Sequence, residues 1–376
     1  MIAEASETDN KKPVLLAITN HSFMFWRFRR ELMQELQKDY EVIISTPYVG
    51  HEDDFKALGF QVIKTDVDRR GINPGADFKL FRTYQKMMKD LKPAMVVTYS
   101  IKPNVYAGMA ASLAKIPYCV NVQGLGTAFQ KQPIAAVATA LYKTGLKKAK
   151  AVFFENESSA SFFEERKIVK KEKMTVLHGA GVNLEQYAYA PYPKNDCFRF
   201  LFVGRIMKEK GIEELFWSAK KLHEELGGVF KLDLVGFFED AYKEQVDELA
   251  REGIAVFHGF QKDPRPFYKD ADCVVLPSYH EGMSNVLLEG AAIGRVLITS
   301  DIPGCREAVE EGKNGYLCQK ADRESLYEAM KKVLSLSKES REEMGRFGRE
   351  KMKREFSKEE VVKRTVSVIK DSLETR

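Results

Sequence analysis

The 376-residue sequence has no long hydrophobic run, and its few cysteines and histidines form no recognisable pattern. The best candidate for a membrane span, residues 134–142, is about half the length that a spanning helix needs, and the first ten residues are polar and acidic, unlike a secretory signal. There is no Cys-x-x-Cys pair and no metal-ligand spacing among the six histidines, so neither a disulfide framework, a metal site nor a cofactor is expected. We therefore expect a cytoplasmic protein whose five cysteines are buried, unreactive thiols, namely Cys119, Cys197, Cys273, Cys305 and Cys318.

Composition and charge favour a two-domain globular protein with an anionic partner. Hydrophobic residues make up 44% and charged residues 30% of the chain, a mixture without the signature of disorder. Residues 1–190 hold 27 basic and 20 acidic residues, whereas the remainder holds 32 and 34. Between Lys79 and Lys150 there are twelve basic residues and a single acidic one, Asp90. A run of one sign indicates an anionic partner, although a solvated basic face is the alternative.

Short apolar runs alternate with helical patterns along the whole chain, which predicts parallel sheets covered on both faces. The pattern restarts after a Pro-containing linker at residues 189–197, so two successive doubly wound α/β units are expected. The predicted strands are Val14–Thr19, Val42–Thr46, Val62–Asp66, Met95–Ser100, Tyr118–Val122, Ala151–Glu155, Thr175–His178, Arg199–Gly204, Lys231–Gly236, Ile254–Gly259, Cys273–Ser278 and Val296–Asp301. The predicted helices include Arg27–Lys38, Phe78–Asp90, Val105–Ala114 and two helices in the charged tail from Lys338 to Arg376.

The most informative segment runs from Pro277 to Gly294, where an apolar strand is followed by a turn and a helix. Ser284 is a suitable N-cap, so the amides of the first helical turn predict an anion site suited to a diphosphate. Glu281 precedes the helix and Glu289 lies eight residues further on, close to two helical turns. Carboxylates at this spacing suit the hydroxyls of a sugar and a ribose, because each accepts two hydrogen bonds.

A second segment, from Phe202 to Gly211, ends a strand with Gly204 and then places two cations, Arg205 and Lys210, before a helix near Ile212. Arg205 can hold a phosphate bidentately, and Lys210 supplies a compact positive charge. Fixed cations here would stabilise the negative charge that grows on a departing diphosphate. Each cation taken alone is equally compatible with a surface charge. The segment lacks the spacing of a P-loop.

Together the two segments resemble the motifs of the retaining GT-B glycosyltransferases of family 4, and the resemblance covers nearly the whole chain. It implies two Rossmann-like, doubly wound parallel-sheet domains that face each other across a cleft, at residues 1–190 and 191–355. It also implies that a C-terminal helix at residues 356–376 crosses back to the first domain. The nucleotide sugar would bind mainly to the second domain and the acceptor to the first, without a metal.

The resemblance also implies roles for individual residues. Arg205 and Lys210 would bind the donor phosphates, Glu281 the hydroxyls of the donor sugar and Glu289 the ribose. Arg205, Lys210 and Glu281 are the expected catalytic residues. The other expected donor-binding residues are Gly204, Gly259 and Phe260 near the base, and Gly282, Met283, Ser284, Asn285 and Val286 around the diphosphate.

The first half of the chain narrows the resemblance. The segments 100–106, 115–117 and 122–127 are similar to a bacterial subgroup that adds sugars to polyprenyl-diphosphate-linked intermediates in capsule, O-antigen and protein-glycosylation pathways. The expected acceptor-binding residues are Asn20, His21, Arg69, Arg70, Lys102, Asn104, Gln123, Gly124 and Gly126. For His21 an ordinary loop position, and for Arg69 and Arg70 surface charges, are the alternatives.

One departure bears on the mechanism. Many family members have a histidine near the reacting carbon where this sequence has Gln123-Gly124-Leu125-Gly126, and no nucleophilic carboxylate stands out in the first half. Front-face substitution is therefore easier to defend than a covalent intermediate, and both stay open.

Aromatic and basic residues alternate in three segments of the first half, at 23–30, 78–89 and 141–150. Such segments suit an anionic membrane surface or the phosphates of a lipid-linked acceptor, although Phe25 and Phe28 are equally compatible with the core. No nucleic-acid-binding motif accompanies them, so nucleic acid is not an expected partner. The expected function is retaining transfer of a hexose or N-acetylhexosamine from a UDP-sugar to a lipid-linked glycan at the inner membrane face. A UDP-sugar epimerase or hydrolase, or a non-catalytic nucleotide-sugar-binding protein, are the alternatives.

Overall fold

A computed structural model describes residues 12–68, 73–125, 129 and 134–374. The chain forms two compact units. The first comprises the chain up to Phe154, Ser159–Leu177 and the chain from Val362 onward; the second comprises Glu155–Ser158 and His178–Val361.

Each unit contains one parallel sheet with helical connections. The strands are β1 (Val14–Ile18), β2 (Glu41–Thr46), β3 (Gln61–Lys64), β4 (Met95–Tyr99), β5 (Tyr118–Val122), β6 (Ala151–Phe154), β7 (Met174–Val176), β8 (Phe198–Val203), β9 (Phe230–Val235), β10 (Ala255–Gly259), β11 (Cys273–Leu276), β12 (Val296–Ser300) and β13 (Gly315–Cys318). The α-helices are α1 (Ser22–Gln37), α2 (Glu52–Ala57), α3 (Pro74–Leu91), α4 (Gly108–Ala114), α5 (Ile134–Leu146), α6 (Glu157–Glu165), α7 (Ile212–Leu226), α8 (Lys243–Arg251), α9 (Arg265–Asp270), α10 (Asn285–Ile293), α11 (Arg323–Ser335), α12 (Lys338–Glu355) and α13 (Lys358–Glu374).

The strand order is 3-2-1-4-5-6-7 in the first unit and 10-9-8-11-12-13 in the second, and every pairing is parallel. Central strands such as β1 are buried on both faces, which explains their uniformly apolar sequences. In both sheets the strand order reverses beside the first strand, between β1 and β4 and between β8 and β11. The predicted doubly wound architecture is confirmed, and its two reversal points are where such sheets bind ligands.

The structure differs from the sequence-based expectation at several element boundaries. Strand β13 was not predicted, because four residues beginning with Gly315 carry little strand signal. Helix α1 begins at Ser22, five residues before the predicted start, so its aromatic residues lie within the helix. The predicted helix 105–114 is interrupted, since residues 103–107 form a π-helical turn before α4.

Specific contacts link residues 178–190 to the second unit and α13 to the first. Val182 pairs with Ser357, and the Ala190 amide donates to the Ile293 carbonyl, so residues 178–190 lie with the second unit. At the other end of the chain, Lys370 on α13 forms a 2.7 Å ion pair with Asp39 of the first unit.

Candidate functional site

The two segments that the sequence singled out follow the two strands that flank the reversal point of the second sheet. Residues 204–211 follow β8, and residues 277–284 follow β11, the neighbouring strand. Because the carboxyl ends of parallel strands lie at one edge of a sheet, both loops meet there.

Glycine at position 211 allows the two loops to pack closely. Gly211 has φ +70°, and a Cβ at this position would lie 2.1 Å from the carbonyl oxygen of Pro277. The amide of Tyr279 donates to the carbonyl of Glu209 across the same contact, at 2.8 Å. The left-handed conformation and the lack of a side chain are therefore both required here.

This contact brings together two of the three expected catalytic residues. Lys210 Nζ lies 2.5 Å from Glu281 Oε1, and the two side chains are 18% and 15% exposed. Ser278, which the sequence did not single out, donates to the same carboxylate oxygen at 2.8 Å. The result is a largely buried pair of opposite charges at the sheet edge.

The loop between Glu281 and α10 is held by its neighbours. The Asn156 side chain donates to the Gly282 carbonyl, and the Ser284 amide donates to the Gly304 carbonyl. Ser284 caps α10 as predicted, since its hydroxyl accepts from the Leu287 amide at 3.4 Å. Met283 is buried and packs closely against Gly179. Asn285 and Val286, half-buried, form the first turn of α10.

Glu289 has a different environment from Glu281. It is only 4% exposed, and its Oε2 accepts a 2.9 Å hydrogen bond from the hydroxyl of Tyr268, which is fully buried. The eight-residue spacing predicted two carboxylates directed at one ligand, whereas the structure gives Glu289 an internal partner. Its contact with a ribose stays a prediction.

Arg205 is exposed beyond the end of β8, and its guanidinium lies 3.7 Å from Glu239. Beside it, the backbones of neighbouring strand ends pack directly against one another. A Cβ on Gly236 would lie 1.7 Å from the Gly204 carbonyl oxygen, so no side chain fits there. The Gly236 amide donates to the Gly259 carbonyl. Glycines thus end three neighbouring strands, β8, β9 and β10.

Two exposed aromatic rings follow these glycines. Phe260 and Phe237 lie edge to face with centroids 6.2 Å apart. Phe260 was expected near the base and Phe237 was missed, although Gly236-Phe237 repeats the Gly259-Phe260 pattern on the adjacent strand. Exposed aromatic rings beside glycine residues suit stacking against a planar base.

In the first unit, three polar residues meet at the reversal point of the sheet. Asn20, Ser100 and Gln123 follow β1, β4 and β5 respectively. The Ser100 hydroxyl lies 2.8 Å from Asn20 Oδ1 and 3.3 Å from Gln123 Oε1. Asn20 and Gln123 were expected acceptor ligands, and Ser100 was not among them.

The other expected acceptor residues are placed differently. Lys102 forms a 2.7 Å ion pair with Asp77 and is mostly buried. Nearby, the burial of the Tyr106 hydroxyl and its contact with the Asp77 carboxylate raise the pKa of Tyr106 to about 12. Asn104 is fully buried and donates to the Asn121 carbonyl at 2.7 Å, a placement that does not fit direct contact with an acceptor.

Two further residues of that group lie in the loops that follow β1 and β5. His21 is half-buried at the N-cap of α1, with its ring edge-on to Phe23 at 6.4 Å, and Gly124 adjoins Gln123. The remaining predicted residues, Arg69, Arg70 and Gly126, lie outside the described residues.

The three aromatic and basic segments also differ from one another. In α1, Phe25 and Arg29 are buried, and Trp26 stacks on His51 at 5.3 Å, so these residues of the segment pack within the first unit. In contrast, α3 exposes Phe78 to 64%, and α5 exposes Ile134 and Val137, near the N-terminal ends of both helices. Exposed basic residues accompany them along these helices and the turn after α5, namely Lys79, Arg82, Lys86, Lys89, Lys143, Lys147, Lys148 and Lys150.

Neither membrane-spanning helices nor metal-binding clusters are found among the described residues. There, no helix is both long and apolar enough to cross a bilayer, and no cluster of three or more His, Cys, Asp and Glu side chains could hold a metal ion.

Comparison with known families covers both units. The family described as "Glycosyl transferase 4-like" matches residues 14–156, and the family described as "Glycosyl transferases group 1" matches residues 191–351. The chain belongs to the group 1, family 4-like glycosyltransferases. The resemblance inferred from the Arg205–Lys210 and Glu281–Glu289 segments is therefore confirmed.

Two curated relatives align with most of the chain. The chain is 29% identical over 329 residues to the N,N'-diacetylbacillosaminyl-diphospho-undecaprenol alpha-1,3-N-acetylgalactosaminyltransferase of Campylobacter jejuni, covering 82% of this chain and 86% of that protein. It is 26% identical over 365 residues to the capsular polysaccharide biosynthesis glycosyltransferase CapM of Staphylococcus aureus, covering 93% and 94%.

The fold of this glycosyltransferase is GT-B. The Anabaena protein Alr3699/HepE, solved in complex with UDP and glucose, superimposes with a TM-score of 0.77 over 96% of this chain and 99% of that chain, at 14% identity.

Proposed function

We propose that this glycosyltransferase moves a hexose or N-acetylhexosamine from a UDP-sugar to a polyprenyl-diphosphate-linked glycan, with retention of the anomeric configuration. The observation that carries the proposal is the Lys210–Glu281 pair, 2.5 Å apart beside the N-terminus of the capped helix α10. A cation, a carboxylate and a set of helix amides at one sheet edge match the charge and hydroxyl groups of a nucleotide sugar.

The chemistry of transfer follows from these groups. When the anomeric bond breaks, negative charge develops on the diphosphate, and Lys210 and Arg205 stabilise it more in the transition state than in the ground state. Glu281 accepts hydrogen bonds from the sugar hydroxyls as Lys210 turns to the phosphate. Phe260 and Phe237 stack against the uracil. That Alr3699/HepE binds UDP and glucose on the same fold supports this choice of donor.

The proposed acceptor site is the sheet edge of the first unit, with Asn20, Gln123, Gly124 and His21. Their amide and backbone groups suit the hydroxyl and phosphate oxygens of a diphosphate-linked sugar. The name of the Campylobacter relative specifies an undecaprenyl-diphosphate-linked acceptor, which supports a lipid-linked substrate here.

A lipid-linked acceptor requires access to a membrane surface, and α3 and α5 provide suitable groups. Phe78, Ile134 and Val137 expose apolar side chains beside the lysines of the same helices. Apolar residues that enter the interface, with lysines that contact anionic headgroups, are typical of peripheral binding. We therefore propose peripheral association with the inner face of the cell membrane.

A donor and acceptor screen tests the proposal. Purified protein is incubated with a panel of nucleotide sugars, with and without short-chain polyprenyl-diphosphate sugars, and released nucleoside diphosphate is measured. We expect release that requires both one UDP-sugar and the lipid-linked acceptor, and an NMR coupling constant showing that the product keeps the anomeric configuration of the donor. Release without acceptor would indicate a hydrolase, and isomerised donor an epimerase. Binding without turnover across the panel would indicate a non-catalytic nucleotide-sugar-binding protein.

A further inference from the structure

Ser100 adopts a backbone conformation that serine rarely takes. Its φ is +74°, in the left-handed region. Two other non-glycine residues in this region, Lys92 and Lys115, end helices, where the conformation is common. Ser100 instead ends β4, the strand beside the reversal point of the first sheet, so it has no helix end to account for its strain.

The strained backbone places the Ser100 side chain between two loops. Its Oγ lies 2.8 Å from Asn20 Oδ1, in the loop after β1, and 3.3 Å from Gln123 Oε1, in the loop after β5. The Ser100 carbonyl accepts from the Asn104 amide at 2.9 Å, which fixes the turn itself. All three polar side chains are half-buried, so the cluster lies at the surface of the sheet edge and not in the core.

The hydroxyl hydrogen orients the neighbouring amides. A serine hydroxyl has one hydrogen, and the shorter distance assigns it to Asn20 Oδ1. With its oxygen held by Ser100, Asn20 directs its NH2 group away from the hydroxyl. Gln123 also faces the hydroxyl with its oxygen, at the longer distance of 3.3 Å, so its NH2 group lies on the far side as well. Both amides then offer donors to an oxygen-bearing ligand.

We propose that Ser100 is a positioning residue for the acceptor: it holds Asn20 and Gln123 so that their NH2 groups donate to hydroxyl or phosphate oxygens of the acceptor. The inference rests on the proposed acceptor site. The backbone strain at Ser100 is retained because glycine, which would relieve it, lacks the hydroxyl that orients the two amides.

Two substitutions at Ser100 distinguish the effect of losing the hydroxyl from the effect of relieving the backbone strain. Ser100→Ala removes the hydroxyl and keeps the strain, whereas Ser100→Gly removes the hydroxyl and relieves it. We expect both to raise the acceptor KM about three- to tenfold, the equivalent of one hydrogen bond, while the donor KM stays unchanged. Ser100→Gly should be at least as resistant to heat as the wild type. Ser100→Thr, which keeps a hydroxyl, should recover part of the acceptor affinity.

Other outcomes would overturn the inference. A Ser100→Gly variant with the wild-type acceptor KM, or with donor and acceptor KM raised equally, would show that the hydroxyl does not position the acceptor ligands. An Asn20→Ala substitution should cost less in the Ser100→Gly background than in the wild type, because the amide is already misdirected. Fully additive losses would contradict this coupling.

A structural readout keeps the inference separate from the proposed function. If the wild-type protein transfers no sugar to any lipid-linked acceptor, the proposed function fails, and crystal structures of the wild type and Ser100→Gly decide the positioning role. We expect the Asn20 and Gln123 amides to change orientation or become disordered in Ser100→Gly. Unchanged amides would refute positioning by Ser100.

Discussion

Replacing Lys210 by methionine keeps most of the side-chain volume and removes its charge from the sheet edge of the second unit. Lys210 is 18% exposed and 2.5 Å from Glu281, so water screens it only partly. Removing one fixed donor to a developing oxyanion costs about 2.7–4 kcal/mol in enzymes where it has been measured. With partial screening we expect kcat to fall by about 10- to 100-fold, with a smaller change in donor KM.

The same substitution should also affect stability. It leaves the Glu281 carboxylate, 15% exposed, hydrogen-bonded to the Ser278 hydroxyl without the charge of Lys210 beside it, at a cost of about 1–3 kcal/mol. The assay is therefore twofold: release of nucleoside diphosphate under saturating donor, and thermal unfolding of the free protein. A loss of kcat must be measured below the unfolding temperature of the variant, so that it reports chemistry.

Lys208 provides a matched control, because it lies in the same short turn and is 61% exposed, 3.5 Å from Glu213. Lys208→Met should keep kcat within about twofold, since exposed ion pairs contribute little. If Lys210 only neutralised Glu281, the double variant Lys210→Met/Glu281→Gln would recover turnover. Such a recovery, or a Lys210→Met variant with nearly wild-type kcat, would refute the proposal that Lys210 stabilises the negative charge on the departing diphosphate.

Three further predictions concern stability, membrane binding and thiol chemistry. Arg295 is fully buried and donates to five carbonyl groups, so Arg295→Met should lower the free energy of unfolding by about 3–5 kcal/mol in denaturant titrations; a loss below 1 kcal/mol would contradict this. Phe78→Ser should weaken binding to vesicles that contain anionic lipid, whereas Leu113→Ser should not, because Leu113 is equally exposed but lies near the C-terminus of α4, outside this surface; equal effects would argue against this surface. A thiol reagent at pH 8 should modify Cys197 alone in the folded protein and all five cysteines after denaturation, because burial raises the pKa of the other four; rapid labelling of a second thiol would exclude this account.

The burial of the cysteines differs in one position from the sequence-based expectation that all five are buried. Four cysteines are buried as predicted: Cys119, Cys273 and Cys318 lie within strands, and Cys305 lies in the turn that follows β12. Cys197 is half-buried, since it lies in the linker that precedes β8. Its polar neighbours in the sequence already marked a turn, and a cysteine in a turn has fewer apolar contacts than one in a strand.

The sequence by itself determined the architecture and the residues of greatest chemical interest. Apolar runs separated by helical patterns are sufficient for parallel sheets, because strands buried on both faces must be apolar throughout. Motifs that follow strand ends, such as Gly204-Arg205 and Glu281-Gly282, are at the ligand-binding edge for the same topological reason. The N-cap at Ser284 is a local interaction that four neighbouring residues decide.

Tertiary structure alone decided which side chains meet. Lys210 and Glu281 are 71 residues apart, and Ser100 contacts Asn20 across 80 residues, so no local pattern indicates either pairing. Residues of the same type also differ in burial: Glu281 is partly exposed at the sheet edge, whereas Glu289 is buried on α10 against Tyr268. Likewise, Asn104 is buried and Asn20 is half-buried. Local propensity acts over a few residues, whereas contacts between loops depend on how the strand order brings distant segments to one edge.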